Sequence, residues 1–126
     1  MEKKYIQTDK APSAIGAYSQ AVVLGDLVFL SGQIPLIPIK MEIISSEIDE
    51  QIMQVFNNLE AVLNESGSSF ANVVKLNVYL TNLNYFPNVN QYMEKIFPKP
   101  FPARAVVEVS KLPKDALIEI DAIAKL

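Results

Sequence analysis

An amphipathic helix pattern between Ser45 and Gly67 is the feature that most constrains how this chain can fold. Apolar residues recur there at steps of three and four, which places them on one helix face: Ile48, Ile52, Val55, Leu59, Val62 and Leu63. Ser45 or Ser46 is the predicted N-cap, and Gly67 is predicted to end the helix. A long helix with one apolar face needs an apolar surface to cover, and its neighbours must supply that surface.

The segments on both sides of this helix carry β-strand patterns. Gln20–Leu24 and Leu27–Ser31 are predicted to form a hairpin that turns at Gly25-Asp26. The stretch with Pro35 and Pro38 indicates a loop or an irregular edge. After the helix, Val73–Leu80 alternates, with one apolar face made of Val74, Leu76, Val78 and Leu80.

The C-terminal half contains a second helix and two more strands. The helix follows Asn84 and Pro87 and ends before Pro98. It carries Val89, Met93 and Phe97 on its apolar face. Strands are predicted at 103–109 and 116–124. We therefore expect one α+β domain spanning residues 1–126, with both helices on one sheet face.

Composition excludes most of the common catalytic chemistries. The 126 residues include neither histidine nor cysteine, so zinc, imidazole and thiolate chemistry have no ligands or nucleophiles, and we expect no metal site. The net charge of −3 argues against nucleic-acid binding. We see no signal peptide, and the longest apolar run is interrupted by Asp26, so we expect no membrane span and a cytoplasmic location.

The last two predicted strands place the only arginine of the chain beside several carboxylates. In each strand one alternate set is entirely apolar and is expected to face the helices: Ala105, Val107 and Val109, then Ile118, Ile120 and Ala122. The other residues are then predicted to share the opposite face: Arg104, Val106, Glu108, Glu119, Asp121 and Ile123.

This mixed face allows two interpretations. It is either plainly exposed, with solvated charges in weak pairs, or it is an interface between subunits that encloses a cleft. In the second case Arg104 offers a planar fork that suits a carboxylate, and a glutamate can move protons.

Five stretches of the sequence together resemble the RidA (YjgF/YER057c) family of reactive-imine deaminases. They follow family order from about Ala11 to Ala124: AIGAYSQAV, VFLSGQIPL, QVFNNLEAVL, VVKLNVYLTNL and FPARAVVEVSKLPKDALIEIDAIA. The resemblance implies a chorismate-mutase-like fold and a homotrimer with clefts between subunits. It also implies cofactor-independent hydrolysis of 2-imino acids, such as 2-iminobutanoate and 2-iminopropanoate, to 2-oxo acids and ammonia.

The resemblance also assigns roles to residues. It implies that Arg104 binds the substrate carboxylate, that Glu119 positions or activates water, and that Tyr18 is a third catalytic candidate. The backbone at Val106 would contact the nitrogen end of the substrate. The pocket would be lined by Tyr18, Ser31, Gly32 and Asn90.

Four positions depart from the family pattern. Ala17 replaces a proline, Val106 replaces a thiol residue, and Met93 replaces an aromatic residue. Lys40-Met41 stands where many members have a Thr-Gly turn, which makes that loop unusually apolar. The changes at Ala17 and at Lys40-Met41 are expected to affect substrate size preference or rate.

Two other functions are compatible with parts of this pattern. The first is a module that binds small carboxylates or proteins without turnover, although both Arg104 and Glu119 are present. The second is a ribonuclease or translation inhibitor, which the acidic composition and the single arginine disfavour.

Overall fold

A computed structural model describes all 126 residues and has a mixed sheet with both α-helices on one face. The strands are β1 Lys3–Ile6, β2 Ala21–Leu24, β3 Leu27–Gln33, β4 Leu36–Ile37, β5 Glu42–Ile43, β6 Val73–Leu80, β7 Ala103–Glu108 and β8 Ile118–Lys125. The helices are α1 Ile48–Ser66 and α2 Phe86–Ile96. The main sheet has the order β1-β2-β3-β8-β6-β7, in which only β6 and β7 are parallel. The predicted α+β class is confirmed.

Helix α1 forms where its period predicted, but the predicted cap is wrong. Glu47 occupies the N-cap position without a side-chain cap bond. Ser45 lies two residues earlier, where its hydroxyl accepts the Glu47 N–H at 3.1 Å and donates to Glu50 Oε1 at 2.5 Å. At the other end, Gly67 has a φ of 86° and ends the helix as expected.

Three local features of the β-structure were not predicted. The register of β6 shifts between Val73 and Lys75, so Val74 turns outward and is 44% exposed, contrary to its predicted place on the apolar face. The proline-containing stretch, predicted as a loop or an irregular edge, forms a short two-stranded hairpin, β4–β5. Strand β1, which pairs with β2 at one edge, had no clear signal in the sequence.

The predicted faces of β7 are reversed. Arg104 pairs with Leu76 and Val106 with Val78, and both partners belong to the core beneath the helices. The apolar set that was expected to face the helices lies on the outer face instead, where Val107 is 46% exposed. The reason is that β7 is an edge strand, so its inner face is only partly covered. A long polar side chain can bury its aliphatic part there while its polar end stays accessible.

The outer face of the sheet is rich in exposed apolar side chains. They come from both edges and from the centre: Tyr5, Leu24, Leu27, Phe29 and Val107. Exposed apolar area of this kind is typical of an interaction surface. No helix is long and apolar enough to cross a membrane.

Candidate active site

A cavity of about 490 Å³ opens where the end of β3 meets the start of β8. It brings together four of the residues to which the sequence assigned a site: Tyr18, Ser31, Gly32 and Glu119. Two charged side chains line it, Glu119 and Lys114. The rest of the lining is mostly apolar: Pro12, Ile15, Ile34, Leu36, Met41 and Pro113.

Glu119 is the carboxylate of this cavity and points from the outer face of β8, where it pairs with Tyr79. Burial raises the pKa of Glu119, and the negative charge of Asp121 raises it further. Asp121 is held in place because its carboxylate accepts hydrogen bonds from Asn77 at 2.8 Å and from the Tyr79 hydroxyl at 3.0 Å. A half-buried carboxyl group with a raised pKa can exchange protons closer to neutrality than an ordinary glutamate.

Gly32 makes room for the Glu119 carboxylate. A Cβ built at this position would collide with Glu119 Oε2 and lie 3.0 Å from Glu119 Cδ. The glycine sits in a register irregularity between Leu30 and Gln33, which re-aims the strand toward the cavity. The close approach of carboxylate to backbone therefore depends on the missing side chain.

Tyr18 and Ser31 contribute hydroxyl groups to the same cavity. The Tyr18 oxygen accepts the Ile15 N–H at 3.3 Å, and the ring remains 51% exposed. The Ser31 hydroxyl donates to the Ser19 carbonyl at 2.6 Å, which ties β3 to the segment before β2. Tyr18 is thus placed at the cavity by its own loop, and its donor hydrogen remains available because the oxygen acts here as an acceptor.

Arg104 lies in a second cleft, of about 390 Å³, formed by α2 and the start of β7. Its Nη1 donates to Asn90 Oδ1 at 2.6 Å and lies 3.5 Å from Met93 Sδ. The guanidinium carbon is 5.0 Å from the centre of the Phe86 ring. These partners are all uncharged, and burial lowers the pKa of Arg104. The arginine is thus oriented, but these contacts leave its charge available to an anion.

The two clefts carry different halves of the predicted site. Arg104 and Glu119 lie on opposite faces of the sheet, so the prediction that they share a face is wrong. The pairing of Val106 with Ile123 on one face is wrong for the same reason, since Val106 packs against the core. Asn90 lines the Arg104 cleft, and Val106 lines neither cavity. No group of three or more acidic side chains is placed to hold a metal ion.

Lys114 and Met41 are among the cavity-lining residues that were not predicted as site residues. Lys114 adopts a left-handed φ of 55° in the short turn before β8, and it lines the cavity. The sequence shows a Leu-Pro-Lys-Asp turn there, but nothing in that pattern gives the direction of the side chain. Met41 was noted only as a departure in a loop, and the structure adds it to the cavity wall.

Comparison with known proteins gives a consistent result over nearly the whole chain. A family model described as Endoribonuclease L-PSP matches residues 8–126. A RutC family protein of Pyrococcus abyssi is 48% identical over 124 residues, or 98% of each chain. The 2-iminobutanoate/2-iminopropanoate deaminase of Dermatophagoides farinae is 44% identical over 121 residues, covering 96% of this chain and 94% of that one.

Solved structures of relatives have the same fold and a similar level of sequence identity. The crystal structure of RidA from an Antarctic Psychrobacter species superimposes with a TM-score of 0.94 at 43% identity, covering 98% of this chain and 99% of that chain. Some relatives are thus named for imine deamination and others only for a family.

Proposed function

The chain belongs to the Endoribonuclease L-PSP family, also called the RidA or YjgF family, and on that premise we propose that it hydrolyses reactive 2-imino acids without a cofactor. The substrates would be compounds such as 2-iminobutanoate and 2-iminopropanoate, and the products the 2-oxo acid and ammonia. The observation that carries the proposal is the pair of complementary clefts. One holds a carboxyl group whose pKa is raised by burial, and the other holds an arginine without an anionic partner among its contacts.

The reaction needs only groups of the kind that these clefts contain. Water attacks the imine carbon, its oxygen forms a bond to that carbon, and the C=N π electrons move to nitrogen. Glu119 takes the proton that the water releases and returns it to the nitrogen of the resulting carbinolamine. The carboxyl group of Glu119 then carries the hydroxyl proton of the carbinolamine to the amino nitrogen. The C–N bond breaks with its electron pair going to nitrogen, ammonia leaves, and the electrons of the former O–H bond form the carbonyl of the 2-oxo acid.

Arg104 would anchor the substrate through its carboxylate. A guanidinium can bind both carboxylate oxygens at once, which fixes the orientation as well as the position of the imine carbon. Asn90 holds one side of the guanidinium and Phe86 stacks beneath it, so little reorganisation is needed when the substrate arrives. Next to Arg104, β7 has an unpaired edge whose backbone groups at Val106 are candidates to contact the nitrogen of the imine.

Because Arg104 and Glu119 lie on opposite faces of one sheet, a complete site needs two copies of the chain. We propose a homotrimer in which the Arg104 cleft of one protomer closes over the Glu119 cavity of the next. The exposed apolar outer face supplies a surface that association would bury. Light scattering should give the mass of a trimer at micromolar concentration, and a stable monomer would contradict the proposed site.

A coupled assay tests the activity directly. A threonine dehydratase generates 2-iminobutanoate, and semicarbazide traps the imine that has not yet hydrolysed. We expect added protein to lower semicarbazone formation in proportion to its concentration. If trapping is unchanged while the dehydratase remains active, the deaminase proposal is wrong.

The name of the family also suggests a ribonuclease. A salt series on the same protein tests this alternative. Binding to RNA should fall steeply with salt because neutralised phosphates release counterions. Imine hydrolysis involves a single small anion and should change little over the same salt series. The net charge of −3 and the single arginine favour the second behaviour.

A further inference from the structure

Met41 occupies a backbone conformation that a methionine adopts only at a cost. It is the last residue of the four-residue loop between β4 and β5, and its φ is 57°. Its N–H donates to the Ile37 carbonyl at 2.9 Å, which closes the turn. The left-handed region favours glycine because a Cβ crowds the backbone there, and a strained residue of this kind often marks a functional site.

The side chain of this strained residue, Met41, lies in the wall of the Glu119 cavity. Met41 lines that cavity and also a smaller neighbouring one. Its sulfur lies 4.0 Å from the Ser13 hydroxyl, which lines the same two cavities. A glycine at position 41 would suit the turn better but would remove this part of the wall.

The space beside Met41 is suited to an apolar group. The two charged residues of the cavity, Glu119 and Lys114, are outnumbered by apolar ones, among them Ile34 and Leu36. The open cavity on one protomer, of about 490 Å³, is larger than a methyl or ethyl substituent, and the walls that surround it belong to this protomer. If Arg104 of a neighbouring protomer holds the carboxylate and Glu119 faces the imine carbon, the substituent on that carbon is the part left to occupy this space.

We infer that Met41 is a specificity-determining residue that selects 2-imino acids with long or branched apolar side chains over those with a methyl or ethyl group. This inference rests on the proposed function for the identity of the substrate, but the preference for large apolar substituents is a property of the cavity wall. It therefore extends to unreactive 2-oxo acids of the same shape. Methionine is unbranched and can adapt to apolar groups of different outline, which suits a wall that meets several side chains.

The test compares two variants of the same loop. Met41→Gly removes the side chain from the cavity and relieves the left-handed backbone. Ile39→Gly is the matched control, because Ile39 also has a positive φ, of 23°, but is 92% exposed and does not line the Glu119 cavity. Both variants place a glycine at a positive-φ position of the same loop and beside the smaller cavity, but only Met41 also lines the Glu119 cavity.

The primary measurement is the ratio of dissociation constants for 2-oxo-4-methylpentanoate and pyruvate, by calorimetry. The unmodified protein should bind the larger acid more tightly. Met41→Gly should lose roughly tenfold of that preference, the scale of a methylene-sized change in an apolar pocket, while Ile39→Gly keeps it. An unmodified protein that prefers pyruvate, a ratio unaffected by Met41→Gly, or an equal loss in Ile39→Gly would overturn the inference.

Turnover of the corresponding imines separates this inference from the proposed function. An amino-acid oxidase can supply the imines of leucine and alanine for the semicarbazide assay. If the binding ratio depends on Met41 but no imine is hydrolysed, the deaminase proposal fails and the inference about the wall stands. If both imines are hydrolysed but neither the binding ratio nor the rate ratio depends on Met41, the proposed function stands and the inference fails.

Discussion

Arg104 and Glu119 lie on opposite faces of the same sheet, two strands apart, with β6 between them. Arg104 pairs with Leu76 on the side of the helices, whereas Glu119 pairs with Tyr79 on the outer side. No rotation of either side chain can bring the two groups together across a sheet with a packed core on one face. A site that uses both residues must therefore be assembled from two protomers.

Mixed oligomers of two inactive variants provide the first prediction. Arg104→Ala and Glu119→Gln should each be inactive alone, but their mixture should regain activity, because some clefts then combine an intact Glu119 with an intact Arg104. Random assembly of a cyclic oligomer in equal amounts should restore about a quarter of the sites. The measurement is imine hydrolysis after co-refolding. Each variant refolded alone is the control, and a mixture that stays inactive would place both residues in one protomer.

The second prediction concerns the geometry of the anchor. Arg104→Lys keeps the positive charge but loses the planar fork, and the ammonium group cannot reproduce the contact with Asn90 and a carboxylate together. We expect a loss of about 1.5–3 kcal/mol, the range of hydrogen bonds to charged groups. This corresponds to roughly 10- to 150-fold in kcat/KM. Efficiency equal to that of the unmodified protein would show that Arg104 is not the anchor.

The third prediction separates an enzyme from a binding module. Glu119→Gln preserves the size and much of the hydrogen bonding of the side chain, but the amide cannot accept a proton from water. Turnover should fall by about 10²–10⁴-fold, while oligomerisation and binding of a 2-oxo acid persist. Glu108→Gln is the control, since Glu108 accepts the Leu83 N–H at 2.9 Å, away from the cavity, and its loss should cost much less. Full activity in both variants would rule out the general-base role.

Local patterns predicted the elements of this fold well and their sheet faces less well. Helix α1 and the hairpin around Gly25 follow from periods and turn residues that are read within one segment. Which side of the sheet each β7 side chain occupies depends on the strand that β7 pairs with and on how far α2 covers it. Neither can be read from the residues of β7 alone. The apolar set of β7 faces outward because the outer face is itself apolar, so alternation alone gave the wrong side.

The same distinction applies to the candidate site. The motif residues Tyr18, Ser31, Gly32 and Glu119 meet in one cavity, although no contact between them could be derived from spacing. Val74 was misplaced because a register shift moves a strand residue to the other face without any sign in the alternation. Lys114 was missed because a left-handed lysine has no sequence signature comparable to that of glycine.

Gly32→Ala is the fourth prediction, and it tests the close packing of Glu119 on the backbone. The added Cβ would collide with the Glu119 carboxylate, so the carboxylate must move away from its position in the cavity. We expect turnover to fall by at least tenfold with little loss of folding, since the collision involves the end of one side chain. A double-mutant cycle with Glu119→Gln checks the cause. In that background, where little catalysis remains to be lost, Gly32→Ala should cost little more, whereas an undiminished additional loss would point to general damage.

The last prediction follows from the raised pKa of Glu119 and concerns both activity and stability. The base must be deprotonated to accept a proton, so kcat/KM should fall as the pH drops through the pKa of Glu119 in the folded protein. This acid limb should lie above the usual range for glutamate, which is about 4.3. An acid limb at or below that value would contradict the burial of this carboxylate.

The free energy of unfolding should change with pH in the direction opposite to that expected for a carboxylate in a salt bridge. Between the unfolded and the folded pKa of Glu119, the folded chain binds more protons than the unfolded chain, so the free energy of unfolding falls as the pH rises. Above the folded pKa the penalty for the buried charge is complete, and below about pH 4 it is absent. Glu119→Gln should therefore raise the urea midpoint at pH 7 and leave it nearly unchanged at the acid end, with the protomer concentration held fixed. A variant that is less stable at pH 7, or equally stabilised at both ends, would show that the Glu119 charge is not buried at a cost.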